Sequence, residues 1–393
     1  MPGWLRYLLF LSVVIAVYGG AHYYVYRRFL TALGPLPPTW LWATRIFLIA
    51  MVAGFFLMRF LRGGSHNGVV VALHWLLVLW VGFIFYVFLL ALAAHLVAVV
   101  TDLSGFGEWS LAGLRPGEVA VIAVLAGALV ASVCAFHTAR GTPETTELVI
   151  PVKRLPDELN GFSIVQVSDL HLGLVNGQAR LRRIVEHVNA LDPDLIVIPG
   201  DLGDEDAADL DGTTPLLSNL RARHGVLAVT GNHDYYAGVE EVVRRGEEAG
   251  VRYLRNAHVD VAGGLLVYGI EDPTAERMGT PRPKLEDVVG PEARTKPAIL
   301  LCHQPVGLDE ARALGIDLML SGHTHRGQLW PFHLFVRLFH DRISGLYEDG
   351  PCRLYVSRGV GTWGPPMRLG SAPEVVRIRL RAAPGAAEGS NVP

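Results

Sequence analysis

The apolar positions of the chain follow two different patterns. Up to residue 137 apolar side chains run on with few polar interruptions, and beyond it they occur in short segments between polar ones. A helix needs about 20 consecutive apolar residues to cross the core of a bilayer. Four stretches are of about that length or longer, at residues 7–26, 40–61, 69–100 and 119–137. The pattern predicts an α-helical transmembrane bundle of about four spans over residues 1–137.

Basic residues beside these helices predict an orientation. Cytoplasmic loops carry more Lys and Arg than loops on the opposite side. With four spans, both ends of the bundle face one side, and that side holds six basic residues against three. The six are Arg6, Arg59, Arg62, Arg140, Lys153 and Arg154, and the three are Arg27, Arg28 and Arg115. We expect a multi-pass protein of the cell membrane with a cytoplasmic C-terminal domain, although counting one span differently would reverse the side.

The second part of the chain has the pattern of an α/β domain. Strands are expected at 163–167, 195–199, 225–229, 298–301, 318–320 and 375–380, and helices at 178–189 and 239–249. Strands that alternate with helices predict a layered α/β arrangement. The expected boundaries are a linker with the first strand at 138–160, the α/β domain at 161–381 and a disordered tail at 382–393.

Composition separates the same two parts. Residues 1–143 hold 8 basic and 3 acidic side chains, and the remainder holds 26 basic and 34 acidic ones. Because the second part is acidic, a nucleic-acid partner is not expected. The three cysteines are too few for a disulfide framework, and we interpret them as reduced thiols.

Five of the predicted strands end in Asp, His or Asn, usually beside glycine. The residues are Asp169, His171, Asp201, Asn232, His303, His323 and His325. Ligands of open α/β sheets gather at the carboxyl ends of strands, so these side chains can converge on one point. Seven ligands suit two ions with one bridging carboxylate. Nitrogen and oxygen donors without thiolate favour Mn, Fe, Zn or Co over Mg or Ca.

These residues resemble a known family in content, order and spacing. The motifs are Asp169-x-His171, Gly200-Asp201, Gly231-Asn232-His233-Asp234, His303 and Gly322-His323-x-His325. They are similar to those of the calcineurin-like metallophosphoesterases, over about residues 148–381. The resemblance implies a four-layer α/β/β/α sandwich.

Three further segments, at 168–173, 322–328 and 357–361 with Pro373-Glu374, look like the bacterial membrane-associated branch of that family. Some of its members cleave the pyrophosphate bond of UDP-2,3-diacylglucosamine, and others are known only as phosphodiesterases on model substrates.

The resemblance also implies a role for each residue. Asp169, His171 and His325 would hold one divalent ion, Asn232, His303 and His323 a second, and Asp201 would bridge them. Mn is the first choice of metal, with Fe, Zn or Co possible. His233 would stabilise or protonate the leaving oxygen, and Asp234 would orient its ring.

Other residues leave alternatives open. Arg326 stands where the branch often has glycine, and it is either a phosphate contact or a solvated surface residue. The acidic residues that follow Asp201 suggest a solvated loop with a helix cap rather than extra metal sites, with Asp204 the best candidate for a supporting role. The apolar segment 329–339, with Trp330 and Phe335, is either ordinary core or an apolar lip that meets acyl chains.

The sequence thus predicts a membrane-anchored phosphoesterase with two metal ions that hydrolyses a phosphodiester or pyrophosphate bond by metal-activated hydroxide. A lipid-linked or membrane-proximal substrate is favoured, with Arg326, Trp330 and Phe335 as tentative substrate contacts. The alternative is a hydrolase of soluble nucleotides or other small phosphodiesters whose spans are a simple anchor. A non-catalytic metal-binding sensor is a third hypothesis.

Overall fold

The computed structural model describes residues 3–62, 67–104 and 113–383, and it divides into two units. The first unit contains the N-terminal helices together with Gly364–Met367. The second unit runs from Thr138 to Trp363 and resumes at Arg368. The tail from residue 384 and the side chains of Arg6, Arg59 and Arg62 lie outside the described part, so the predicted tail and orientation stay predictions.

The first unit is built from four long helices, one for each predicted span. They are α1 (Gly3–Leu33), α2 (Pro38–Arg62), α3 (Gly68–Ser104) and α4 (Pro116–Arg140). Among the described residues, three segments are long and apolar enough to cross a membrane, at Pro38–Met58, Gly68–Thr101 and Pro116–Arg140. α1 is not among them, so a fourth span stays a prediction.

Polar side chains in these helices pair across helix interfaces. Trp80 Nε1 of α3 donates to Nε2 of His22 in α1, at 2.8 Å. The hydroxyl of Tyr24 lies 3.0 Å from Nδ1 of His95, again between α1 and α3. Such hydrogen bonds satisfy polar groups that would otherwise meet hydrocarbon.

The second unit contains two six-stranded sheets. The strand order is β1-β12-β2-β3-β4-β5 in the first sheet and β10-β11-β9-β8-β7-β6 in the second. The first sheet comprises β1 (Glu144–Val152), β2 (Ser163–Gln166), β3 (Leu195–Pro199), β4 (Val226–Val229), β5 (Val251–Tyr253) and β12 (Glu374–Ala382). The second comprises β6 (Ala257–Val261), β7 (Leu265–Gly269), β8 (Ala298–Leu301), β9 (Leu318–Ser321), β10 (Gly345–Asp349) and β11 (Cys352–Val356).

The register of the parallel strands aligns their carboxyl ends. Gln166 pairs with Val197 across β2 and β3, and Pro199 pairs with Val229 across β3 and β4. In the second sheet Leu301 of β8 pairs with Leu320 of β9. The turns that follow β2, β3 and β4 therefore leave one edge of the first sheet, as those after β8 and β9 do in the second.

Some helices of the second unit pack on the outer faces of the sheets and complete the four predicted layers. The α-helices of this unit are α5 (Gln178–Asn189), α6 (Thr214–Leu217), α7 (Asn232–Ala237), α8 (Val239–Glu248), α9 (Thr274–Arg277), α10 (Leu285–Val288), α11 (Leu308–Leu314) and α12 (His333–Val336). One apolar cluster joins α5, α6 and α8 to the first sheet, and another joins α10 and α11 to the second. A third cluster lies between the two sheets.

Local sequence explains which elements were predicted. The apolar positions Leu181, Ile184, Val185 and Val188 of α5 recur at helical spacing, and all four are buried. β7 is absent from the prediction although all its residues are buried. β6, also absent, has a weaker signal, because it is mostly exposed and carries His258 and Asp260 between its apolar positions. Edge strands of this kind resemble loops in composition.

Replacing Ile164 by Ala should destabilise the second unit by about 2–5 kcal/mol, because Ile164 is fully buried between the sheets and the change leaves a cavity. Labelling of the buried thiols Cys302 and Cys352 in increasing urea measures this unfolding, in a Cys134→Ser background. Val149→Ala is the matched control, since Val149 is 64% exposed on β1. Equal midpoints for both variants would contradict the packing described here.

Candidate metal centre

The turns that carry the predicted ligands have an unusual backbone. Five of the seven residues have positive φ, namely Asp169, His171, Asp201, His323 and His325. Left-handed conformations are uncommon outside glycine, although Asp and His tolerate them better than most residues. Such strain is of the order of 1–3 kcal/mol per residue and clusters at functional sites. The fold therefore holds strained turns at the point where the ligands converge.

One group of ligands consists of Asp169, His171 and His325, as predicted for the first ion. One donor atom from each residue lies within 4.8 Å of the others. Nε2 of His325 lies 3.0 Å from Nε2 of His171 and 3.4 Å from Oδ1 of Asp169. All three side chains are buried, so a cation between them would be shielded from solvent.

The second group consists of Asn232, His303 and His323. Oδ1 of Asn232 lies 2.8 Å from Nδ1 of His323 and 3.1 Å from Nε2 of His303. The two imidazole nitrogens are themselves 3.3 Å apart. Nδ1 of His303 donates to the carbonyl of Pro199, so Nε2 is the nitrogen that faces the site.

Asp201 lies between the two groups. Its Oδ1 accepts a hydrogen bond from the backbone N–H of His233. Its Oδ2 lies 3.1 Å from Nε2 of His303 and 3.6 Å from Nε2 of His171. One oxygen thus faces a ligand of each group, which is the position expected of a bridging carboxylate.

The donor set fits a pair of divalent cations. Within the described residues, the buried Oδ2 of Asp169 has no hydrogen-bond partner, and a buried polar atom without one is costly unless an ion satisfies it. Burial and then the charge of His303 lower the pKa of His323 to about 3. Burial and then Arg368 lower the pKa of His325 well below its usual value. A lowered pKa favours the neutral ring, which is the form that binds metals.

Arg368 supports this centre and was absent from the prediction. Its guanidinium is fully buried, and its Nη2 lies 2.8 Å from Nδ1 of His325. Nε donates to the carbonyl of Gly361, and Nη1 to that of Arg358. Arg368 thus ties His325 to the loop after β11. Only its position shortly after the 357–361 motif could have suggested such a role.

The partner of His233 differs from the one predicted. Nδ1 of His233 lies 3.1 Å from the carboxylate of Asp204 and 3.2 Å from its carbonyl oxygen. Burial acts to lower the pKa of His233, but the carboxylates of Asp201 and Asp204 raise it to about 9. Asp204 thus contacts the His233 ring, and its supporting role stays a prediction.

Asp234, in contrast, contacts the backbone, and its orienting role toward the His233 ring stays a prediction. Its carboxylate accepts hydrogen bonds from the N–H groups of Asp201, Gly203 and Gly231. The bond from Gly231 follows from the position of Asp234 in the first turn of α7, because the N–H of the residue before a helix is otherwise unpaired. The other two N–H groups belong to the turn after β3. Asp234 ties the turn after β3 to the turn after β4.

A pocket of about 260 Å³ opens onto the ligands and onto an aromatic wall. Its wall includes Phe332, Phe335, Phe339, His340 and Trp363. Of the three tentative substrate contacts, Phe335 lines this pocket, whereas Arg326 and Trp330 are exposed and do not. This placement favours the hypothesis that Arg326 is a solvated surface residue rather than a phosphate contact.

The segment 329–339 is mostly an exposed lip rather than ordinary core. Leu338 is 75% exposed and Phe339 is 69% exposed, and Trp330, Leu334 and Phe335 are more than half exposed.

In the acidic loop after Asp201, the side chain of Asp206 caps the short helix at Ala207–Leu210. The sequence predicted a solvated loop with a helix cap here.

Known proteins share this domain. The sequence profile of calcineurin-like phosphoesterases matches residues 162–327. An uncharacterized metallophosphoesterase of Aquifex aeolicus is 35% identical over 59% of the chain and 89% of its own length. A transmembrane protein with a metallophosphoesterase domain from Danio rerio is 36% identical over 67% of the chain and 63% of its own. The chain likewise spans only 66% of the length of a Helicobacter pylori relative.

One relative aligns over nearly the full length of both chains, and the solved structures are less similar. An uncharacterized metallophosphoesterase of Campylobacter jejuni is 28% identical over 95% of the chain and 99% of its own length. A dimetal phosphatase from Danio rerio aligns with a TM-score of 0.35 and 12% identity, over 51% of the chain and 88% of that structure.

Asp201→Asn should lower the bound Mn from about two ions per chain to one or fewer, because a bridging oxygen then loses its charge. Elemental analysis after Mn loading and gel filtration measures the content. Asp192→Asn is the matched control, since Asp192 also has positive φ and its side chain is 85% exposed outside the site. Full Mn content in Asp201→Asn would show that this carboxylate bridges nothing.

Proposed function

The chain belongs to the calcineurin-like metallophosphoesterases, and on that premise we propose that it hydrolyses phosphodiester or pyrophosphate bonds at the membrane with two divalent cations. The observation that carries the proposal is the position of Asp201 Oδ2 between the two ligand groups. Asp169, His171 and His325 would hold one ion, and Asn232, His303 and His323 the other. Mn is the metal we expect first for these nitrogen and oxygen donors.

A cation pair bound there supplies positive charge for the phosphate oxygens and activates a water. The chain's own residues then have to position the substrate and manage the proton of the leaving oxygen. Because Asp204 occupies Nδ1 of His233, the remaining nitrogen, Nε2, is the one available for that oxygen. A protein that only senses metal needs no such imidazole beside its ligands, which favours turnover over the sensor hypothesis.

The aromatic wall supports a substrate with an apolar group. Phe335 and Phe339 line the same pocket as His323 and are more than half exposed, so their rings are ready to cover an acyl chain. The connection to the predicted anchor also favours such a substrate, because only three residues separate the end of α4 at Arg140 from the start of β1 at Glu144. We therefore favour a lipid-linked substrate such as a diacylated sugar nucleotide over a soluble one.

His233→Ala should lower kcat on bis(p-nitrophenyl) phosphate with Mn by about 10²- to 10⁴-fold, the usual contribution of a general acid. Asp204→Asn should have a smaller effect in the same direction, because the ring remains but loses its partner. Bound Mn should stay unchanged in His233→Ala. The control is His258→Ala, whose side chain is 45% exposed on β6. Unchanged rates in His233→Ala would remove it from the mechanism, and an inert native protein would favour the sensor hypothesis.

Phe335→Ala together with Phe339→Ala should lower kcat/KM for UDP-2,3-diacylglucosamine by about tenfold or more, since burying one Phe contributes roughly 1.5–3 kcal/mol. Hydrolysis of the same sugar nucleotide without acyl chains should be unaffected. Leu334→Ala with Leu338→Ala is the matched pair, because both residues are exposed in the same lip but lie outside the pocket. A native preference for the plain nucleotide would instead support the soluble-substrate alternative.

A further inference from the structure

A groove of about 580 Å³ runs between α1 and α2 of the first unit. It exists because α1 and α2 pack mainly against α3 and touch each other little. Its walls are largely hydrocarbon, from Ile15, Gly19 and Tyr23 of α1 and Ile49, Val52 and Phe56 of α2. The groove is independent of the metal centre, which belongs to the other unit.

The imidazole of His22 in the groove wall already has hydrogen-bond partners. Nε2 of His22 accepts from Trp80 Nε1, and Nδ1 donates to the carbonyl of Tyr18, each at 2.8 Å. Because both nitrogens have partners, this buried ring needs no hydrogen bond from a ligand. The interior of the groove therefore suits a hydrocarbon chain.

Arg45 supplies a cationic group at one part of the same groove. Its Nε donates to the hydroxyl of Tyr26 at 2.7 Å, and its guanidinium lies over the rings of Tyr26 and Trp42. No carboxylate pairs with Arg45 in the part of the chain that the structure describes. An arginine in an apolar helix is costly unless it reaches the interface, where Tyr and Trp are also enriched. Its remaining donors can receive an anion.

We propose that this groove binds an anionic phospholipid of the bilayer, with one acyl chain between α1 and α2 and its phosphate on Arg45. The hydrocarbon walls select an acyl chain, and the cationic end without a carboxylate selects a head group of net negative charge. The open space beside Gly19 leaves room for the chain, because a Cβ there would meet no atom within 4 Å.

Native mass spectrometry of the detergent-solubilised full chain, titrated with phosphatidylglycerol or phosphatidylcholine, tests the site. The native protein should bind phosphatidylglycerol about fivefold more tightly, since one basic residue near the surface contributes about 1 kcal/mol. Arg45→Gln should abolish this preference without preventing lipid binding. Gly19→Phe should fill the groove and weaken binding of both lipids.

Two matched controls make the test specific. Gly20→Phe adds the same ring at a neighbouring position that also has open space but lies outside the groove. Arg28→Gln removes an arginine that lies over Tyr24, as Arg45 lies over Tyr26, but outside the groove. Both variants should bind as the native protein does.

Three outcomes would overturn the proposal. Equal preferences in native protein and Arg45→Gln would remove the phosphate site. Equal losses in Arg45→Gln and Arg28→Gln would indicate diffuse electrostatic attraction, and equal losses in the two glycine variants would indicate a general effect of an added ring. If Gly19→Phe does not fold, the two arginine variants decide alone.

Discussion

The carboxylate of Asp201 is the constraint on which the arrangement of the second unit depends. It is buried, and its two oxygens make different contacts. Oδ1 accepts from a backbone N–H in the first turn of α7, and Oδ2 faces a histidine from each ligand group. A buried charge without compensation is strongly destabilising. The fold meets this requirement by bringing the ends of strands from both sheets to the same oxygen, and the fit to two cations follows from that convergence.

Glycines keep the backbone close enough for this convergence. A Cβ at Gly231 would overlap the carboxylate of Asp201, and one at Gly322 would overlap that of Asp169. The glycines beside Asn232 and His323 in the sequence motifs therefore have a steric cause. They allow a neighbouring turn to approach a carboxylate, while the strain of the left-handed conformation falls on the ligands themselves.

The family resemblance was sufficient for the four layers. The sequence itself indicated the set of converging side chains, because polar residues directly after apolar strands are a local signal. It was insufficient where two residues compete for one contact. Asp234 is adjacent to His233 in the chain, yet the helix start turns its carboxylate to backbone N–H groups, and Asp204 approaches the ring from another turn. Likewise the composition of segment 329–339 could not show whether it is a lip or core, because both are apolar. Its exposure depends on where the tertiary fold places it.

The two sides of the pocket have different chemistry, and this asymmetry gives the proposed reaction a direction. His233 and Asp204 lie beside His171, which belongs to the first ligand group. The aromatic wall lies beside the second group, where the ring of His340 packs against that of His323 with centroids 5.2 Å apart. A phosphoester with one polar and one acylated arm would place the acylated arm along Phe335. Its polar arm would then carry the leaving oxygen toward His233, so that the phosphate stays with the apolar product.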